Sequence, residues 1–248
     1  MEELKVTVIV PTMNEIDGMK WFMPRLKKEW YDELIIIDGS SVDGTIEYCK
    51  ANGHPIFIQS KKGLVNALDE AYKMSTKDII VTITPDGNSL PEFIPELVKK
   101  IREEGYDMVI ASRYLGKAKS YDDDVFTAFG NHLFTAMINL FFHAKYTDTL
   151  VGFRAYRRDT IERLRLYDQH KQGWLKSIFY NRMNGWEVSS VIRAAKLKLK
   201  VGQIPVDEPK RLGGVRKMSI VKNGIGVLSH IFHELFLGLR FQKKTLGK

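Results

Sequence analysis

The chain has 248 residues, 44% of them hydrophobic and 27% charged, which is enough to bury one substantial core and excludes a largely disordered protein. Its 38 Lys+Arg against 30 Asp+Glu give a formal charge of +8, and from Arg193 onward there are 13 basic and 3 acidic residues, so the positive excess is C-terminal and favours a partner carrying phosphate. The lone Cys49 excludes an intramolecular disulfide, no stretch offers the roughly 20 consecutive apolar residues of a membrane span, and the N-terminus enters a strand pattern without a signal peptide, so a reducing, cytoplasmic setting is expected.

In chain order, the β-branched run Lys5 to Val10 predicts a first strand, and Leu34 to Ile37 and Ile79 to Ile83 repeat it after helix-like segments. Gly63 to Met74 puts Leu64, Ala67, Leu68 and Ala71 on one helical face, and Pro91 to Arg102 opens with prolines, as a first helical turn tolerates. A strand at Met108 to Ala111 follows. Asp122, Asp123 and Asp124 then precede a helix over Val125 to Phe142, with a short strand at Phe153 to Arg157. Lys196 to Val206 alternates like a strand, Pro209 to Lys217 is a basic loop around Gly213 and Gly214, and Ser219 to Phe241 is helical. Strands alternating with helices imply an α/β fold with a parallel, doubly wound sheet. A catalytic domain over residues 1–218 and an amphipathic helix with a basic tail over 219–248 are expected.

In such a sheet, ligands bind beyond the C-terminal strand ends. Three predicted strands run there into unusual polar sequences: Pro11-Thr12-Met13-Asn14-Glu15, Asp38-Gly39-Ser40-Ser41-Val42-Asp43-Gly44-Thr45 and Thr84-Pro85-Asp86-Gly87-Asn88. Each alone is an ordinary turn or cap as readily as a site, but their joint placement on one sheet edge points to a ligand. Asp43 and Thr45 fit a capping pattern better than ligand contact. His132, His143, and His230 with His233 lack the companions of a metal site, and Trp174, Trp186, Phe134, Phe141 and Phe142 read as core.

Across roughly residues 5 to 220 the ordered motifs VIVPTMNE, IIIDGSSVDGT, KKGLVNALDEA, TPDGNSLPEFIPEL, ASRYLGKAK, FGNHLF and DTLVGFRAYRR resemble family 2 inverting glycosyltransferases, and within them the polyprenyl-phosphate sugar synthases of the dolichol-phosphate mannose synthase type. The resemblance implies the A-type glycosyltransferase fold, a Rossmann-like, mostly parallel sheet flanked by helices, and a nucleoside diphosphate sugar donor. It implies donor contacts from Pro11, Thr12, Asn14, Glu15, Asp38, Lys62, Gly63, Asp86, Gly87 and Arg113. It also implies a Mg2+ or Mn2+ site at Asp86 and Asn88, because a divalent cation neutralises charge developing on the leaving diphosphate. Here the chain departs from the pattern: Thr84 stands where a first Asp is usual, which leaves one carboxylate and a weaker expected metal site.

Asp148 resembles a catalytic base where the acceptor is a hydroxyl. With a lipid phosphate acceptor no base is needed, and Asp148 then pairs with Arg154 or positions its neighbours. Arg211, Arg216 and Lys217 resemble a basic loop that closes over the donor and acceptor phosphates, Arg216 and Lys217 acting at the reacting anions. The resulting expectation is sugar transfer to a polyprenyl phosphate by a cytoplasmic protein peripherally associated with membrane. The alternatives are transfer to a sugar or other hydroxyl, donor binding without transfer, and a non-catalytic nucleotide or nucleic-acid module; no nucleic-acid signature is present. The wide apolar face of Ser219 to Phe241, with Lys222, Arg240, Lys243 and Lys244 near its ends, suits an anionic membrane surface. Its competing reading is packing on the core or on a second copy of the chain, with the membrane link left to an embedded partner.

Overall fold

Val6–Thr12 (β1) is buried at every position, as its β-branched sequence requires of a strand covered on both faces. The computed structural model describes residues 3–167, 185–212 and 220–242. Beside β1 lie Glu33–Asp38 (β2) and Ile79–Thr82 (β4), both parallel to it, with Ile56–Ile58 (β3) on the outer edge of β2. Beyond β4 come Arg154–Arg157 (β6), Met108–Ser112 (β5) and Val201–Pro205 (β7), giving the order β3-β2-β1-β4-β6-β5-β7.

The sheet is mostly parallel, as the resemblance implies, with β6 pairing antiparallel to both β4 and β5. The reversal brings the segment just before β6, with Asp148, to the same edge as the C-terminal ends of β1, β2, β4 and β5. The short edge strand β3 was not expected from the sequence.

Strand residues alternate between two cores. Ile9, Ile35, Ile37, Ile80, Met108 and Ile110 pack under Leu64–Met74 (α3), Val125–Phe142 (α5), Arg158–Leu164 (α6), Gly185–Lys196 (α7) and Ile220–Leu237 (α8). Val8, Val10, Ile36, Val81, Val109 and Ala155 pack on the other face against Ile16–Phe22 (α1), Thr45–Ala51 (α2) and Ile94–Glu104 (α4). This period-2 division leaves both faces dry.

Residues 196–200 are not strand. Helix α7 runs through Lys196, which together with Arg193 meets Glu234 of α8, and the chain then turns at Lys198 (φ 52°) before β7 begins at Val201. The C-terminal helix stops at Leu237, ahead of Gly238 in the left-handed region, and Val227 and Ile231 on it are buried in the main core. Trp186 is buried, as expected, and Cys49 is buried with its thiol pushed up to about 11 by desolvation. Phe142 is buried, while Phe134 and Phe141 pack on the core partly exposed. Trp174 lies outside the described residues.

Candidate active site

The turn after β1 and the turn after β2 are laced together. Asn14 sits in the left-handed region (φ 52°) and its N–H donates to Ser41 Oγ at 2.7 Å, while Val42 N–H donates to Asn14 Oδ1 at 2.8 Å. Glu15 N–H donates to Thr45 Oγ1. Asp43 accepts from Ile16 N–H, Thr45 N–H and the Thr45 hydroxyl; burial opposes its ionised form, yet these bonds hold its carboxyl below the usual range, as suits a cap. Asp38 is fully buried and both its oxygens are engaged by Ser41, from N–H at 2.7 Å and Oγ at 2.6 Å. Thr12, beside Asp38 in the ladder, has a buried hydroxyl without a hydrogen-bond partner. Pro11 is buried in β1, and Lys62 and Gly63 precede α3 near the outer edge, Lys62 exposed.

The loop after β4 is held from two sides. A Cβ on Gly18 of α1 would lie 2.2 Å from the Pro85 carbonyl oxygen, and a Cβ on Gly87 (φ 84°) would lie 2.7 Å from Leu212 Cγ. Leu212 N–H donates to the Asp86 carbonyl at 2.9 Å. Between these contacts, the 93%-shielded Asp86 accepts from Thr84 Oγ1 at 3.1 Å and meets Arg211 Nη2 at 3.0 Å. Desolvation pushes the Asp86 carboxyl above its ordinary value, only partly offset by Arg211. Asn88 donates from Nδ2 to Glu208 Oε1 at 3.3 Å.

At the end of β5, Arg113 forms a two-point pair with Asp148, Nε to Oδ2 at 2.6 Å and Nη2 to Oδ1 at 3.0 Å. Its Nη1 meets Glu208 at 3.3 Å and Asp123 at 3.8 Å. Asp148 is fully buried; desolvation works against its charge, but Arg113 outweighs it and holds the carboxyl below its usual range. Arg154 is not its partner: that guanidinium is spent on the carbonyls of Thr149, Val151 and Glu187 and on Ser190 Oγ. Arg211 donates its backbone N–H to Asp122 at 3.1 Å. Arg216 and Lys217 lie outside the described residues.

Sequence reasoning missed Glu208, Asp122 and Asp123. Asp122–Asp124 read as helix-start acids, yet only Asp124 is seen capping α5, accepting from Thr127 N–H at 2.7 Å; Asp123 takes Asn131 and Tyr114. The available signal for Glu208 was its place directly before the basic loop. Together the described residues bring Asp86, Asp122, Asp123, Asp148 and Glu208 around two guanidiniums, Arg113 and Arg211. Among the described residues, the carboxylates of this cluster outnumber its guanidiniums.

A helix-flanked, mostly parallel sheet with acidic turns at its carboxyl edge is the arrangement of an A-type glycosyltransferase fold, and comparisons with known proteins agree. The sequence pattern described as Glycosyl transferase family 2 matches residues 7–165, and the chain belongs to that family. It is 25% identical over 226 residues to an undecaprenyl-phosphate mannosyltransferase of Micrococcus luteus, covering 87% of this chain and 88% of that one. It is 27% identical over 173 residues to a dolichol-phosphate mannosyltransferase of Pyrococcus furiosus, covering 66% of this chain and 49% of the relative. Among solved structures, glucosyl-3-phosphoglycerate synthase of Mycobacterium tuberculosis, in complex with Mn2+, UDP and glucosyl-3-phosphoglycerate, superposes with a TM-score of 0.60 at 19% identity, covering 96% of this chain and 80% of that one. The protein is a glycosyltransferase.

Proposed function

We propose that the enzyme transfers a hexose from a nucleoside diphosphate sugar to a polyprenyl phosphate, with inversion, at the cytoplasmic face of a membrane. The observation that carries this reading is the Arg113–Asp148 pair. A carboxylate buried, doubly bonded and held low is a poor proton acceptor, so a hydroxyl acceptor finds no base there, whereas a phosphate monoester is already anionic and needs none. The mannosyltransferases named above, which their names associate with undecaprenyl and dolichol phosphates, support the same class of acceptor.

In this reading, Pro11, Thr12, Asn14, Glu15 and Asp38 frame the nucleoside, with Lys62 and Gly63 at its outer side. Asp86, Gly87 and Asn88 face the diphosphate. Arg113 is a positioning residue, since its guanidinium is committed to Asp148, Glu208 and Asp123. Arg211, followed along the chain by Arg216 and Lys217, meets the phosphates. The acceptor oxygen bonds to the anomeric carbon from the side opposite the nucleotide, and the bond from that carbon to the diphosphate oxygen breaks with its electron pair leaving on the nucleoside diphosphate.

The described residues contain no group of three or more His, Cys, Asp or Glu side chains arranged as a metal site. Asp86 nonetheless fits a Mg2+ or Mn2+ ion of the kind that takes one carboxylate and completes its shell from substrate phosphates, because its Oδ2 already faces a cation, Arg211, and the surrounding carboxylates exceed the guanidiniums. Asp86 with Asn88 would hold such an ion, which supplies charge neutralisation on the leaving diphosphate.

The test is a thermal-shift panel of UDP-, GDP-, CDP- and dTDP-sugars with Mg2+ or Mn2+, followed by transfer to a polyprenyl phosphate in detergent and to a free hydroxyl acceptor. One nucleotide should raise the melting temperature and support transfer to the phosphate, with little pH dependence near neutrality. A flat response to all nucleotides, or transfer only to hydroxyls with an essential base, overturns the reading.

A further inference from the structure

The two helices at the outer side of the main core are apolar on both faces: Ile138, Phe142, Val227 and Ile231 pack inward, yet the outward positions are apolar as well. In α5 the inward positions include Asn131 and Thr135, bonded to Asp123 Oδ2 at 2.9 Å and to Thr149 Oγ1 at 3.0 Å, while the outward positions are Val125, Phe126, Phe129, Leu133 and Leu140. Phe126 is 77% exposed and Leu140 70%. No charged side chain occurs in its 18 residues, a length of about 27 Å. In α8 the buried His230 and Glu234 face Ser189, Arg193 and Lys196, while Ile225, Leu228, Phe232, Leu235 and Phe236 point outward, followed by the exposed Leu239 just past the helix. A helix covering a core in water keeps its outward face polar.

The helices run side by side in the same direction: Phe134 lies against Gly224, and about two turns further along each helix Phe141 meets Phe232 with ring centroids 6.2 Å apart. Phe232 is itself exposed, so the two apolar faces join. By length and composition α5 is long and apolar enough to cross a membrane, but its bonds to Thr149 and Asp123 tie its inner side to the sheet.

We propose that the joined outward face of α5 and α8 is the surface on which the enzyme seats in a lipid bilayer, lying along it rather than crossing it. Two observations select lipid over a second copy of the chain. The face is continuous with the site: α5 starts directly after Asp122 and Asp123, which touch Arg211 and Arg113, so a lipid phosphate held at Arg211 has its hydrocarbon beside Val125 and Phe126. The exposed Lys117, Lys119, Lys145 and Arg240 flank the two helices in the chain, charge that complements anionic headgroups. The proposal rests on the lipid acceptor of the functional reading, and assigns it a place on the molecule.

The test uses the full chain with vesicles of phosphatidylcholine and phosphatidylglycerol. Flotation should show binding, and Phe126→Ser with Phe129→Ser should cut vesicle partition at least about tenfold at unchanged melting temperature. The control pair Phe57→Ser with Ile58→Ser, exposed on the edge strand β3, should leave it unchanged. If the first pair misfolds by circular dichroism, Leu140→Lys and Phe236→Lys ask the same question from the far end and from α8. Unaltered flotation of well-folded face variants overturns the seat, as does a dimer in sedimentation that the same substitutions disperse while vesicles go unbound. Transfer to a short prenyl phosphate in detergent separates the two readings: it should persist in the face variants, and its absence from the unsubstituted chain with vesicle binding intact overturns the acceptor and leaves the seat standing.

Discussion

Arg113 grips Asp148 at two points, 2.6 and 3.0 Å, where the carboxylate is wholly out of water, and a third bond runs from the Arg113 backbone N–H to the same carboxylate at 3.2 Å. Removing one partner of such a pair strands the other charge. Asp148→Asn is therefore expected to cost about 3 to 5 kcal/mol of stability in a urea titration. At a temperature where the variant stays folded, its pH-rate profile should keep the shape of the parent's. A collapse of kcat at unchanged stability would instead make Asp148 a base.

Arg211 competes with any cation for Asp86. Two positive charges within a few ångströms of one carboxylate repel, so Arg211→Ala should tighten Mn2+ binding in the absence of nucleotide by roughly tenfold, measured by titration of the free ion. Transfer by the same variant should fall by more than tenfold, since a charge-assisted bond to a phosphate is worth about 1.5 to 3 kcal/mol. Unchanged Mn2+ affinity would place the ion elsewhere.

Gly18 leaves no room for a methyl group against the Pro85 carbonyl, and the neighbour is backbone. Gly18→Ala should push the Asp86 loop outward. The expected result is a loss of about 1 to 3 kcal/mol in stability and a donor KM raised several-fold, the second being absent if the loop does not hold donor.

His230 is buried and its proton affinity is lowered to about 3 by desolvation, with Arg193, His233 and Lys196 adding to the burial effect and Glu234 opposing it; its Nε2 lies 2.9 Å from Ser189 Oγ. The unfolded chain thus binds a proton there that the folded one refuses. Stability is fully present above pH 6.5 and is lost on acidification at up to about 1.4 kcal/mol per pH unit as pH falls toward 3. Glu234, held down to about 2, adds a loss below about pH 4.5. Melting temperatures of His230→Gln and the parent should converge near pH 5 and diverge in the parent's favour near pH 8.

What the sequence disclosed follows from local pattern. The run Val125 to Phe142 was legible as a helix from its unbroken length after an acidic start, and the strands through Val8, Ile36 and Val81 from their β-branched runs. The turns after β1, β2 and β4 were legible as polar breaks at strand ends. The direction of β6 was hidden, because Arg154-Ala155-Tyr156-Arg157 reads the same in either sense and pairing direction is set by tertiary neighbours. Asp148's partner was hidden for a related reason: Arg154 is six residues away and Arg113 thirty-five, and proximity in sequence favoured the wrong one. Residues 196–200 alternate by coincidence, while Arg193 and Lys196 obey a helical spacing that matters only once Glu234 is opposite them.

The closing of the mixed sheet by β6 and β7 bears on when the enzyme acquires its chemistry during folding. Arg113 meets partners 35 and 95 residues further along the chain, and Arg211 reaches back 125 residues to Asp86. Neither can be gathered until the distant loops have been drawn together at considerable entropic expense, so the charged edge is a late event. A fragment ending at residue 165, where the family pattern ends, carries the turns after β1, β2 and β4 but neither Glu208 nor Arg211. Such a fragment leaves Asp86 without the guanidinium that faces it and one of Arg113's carboxylates missing; the working edge belongs to the finished chain and not to its N-terminal two-thirds.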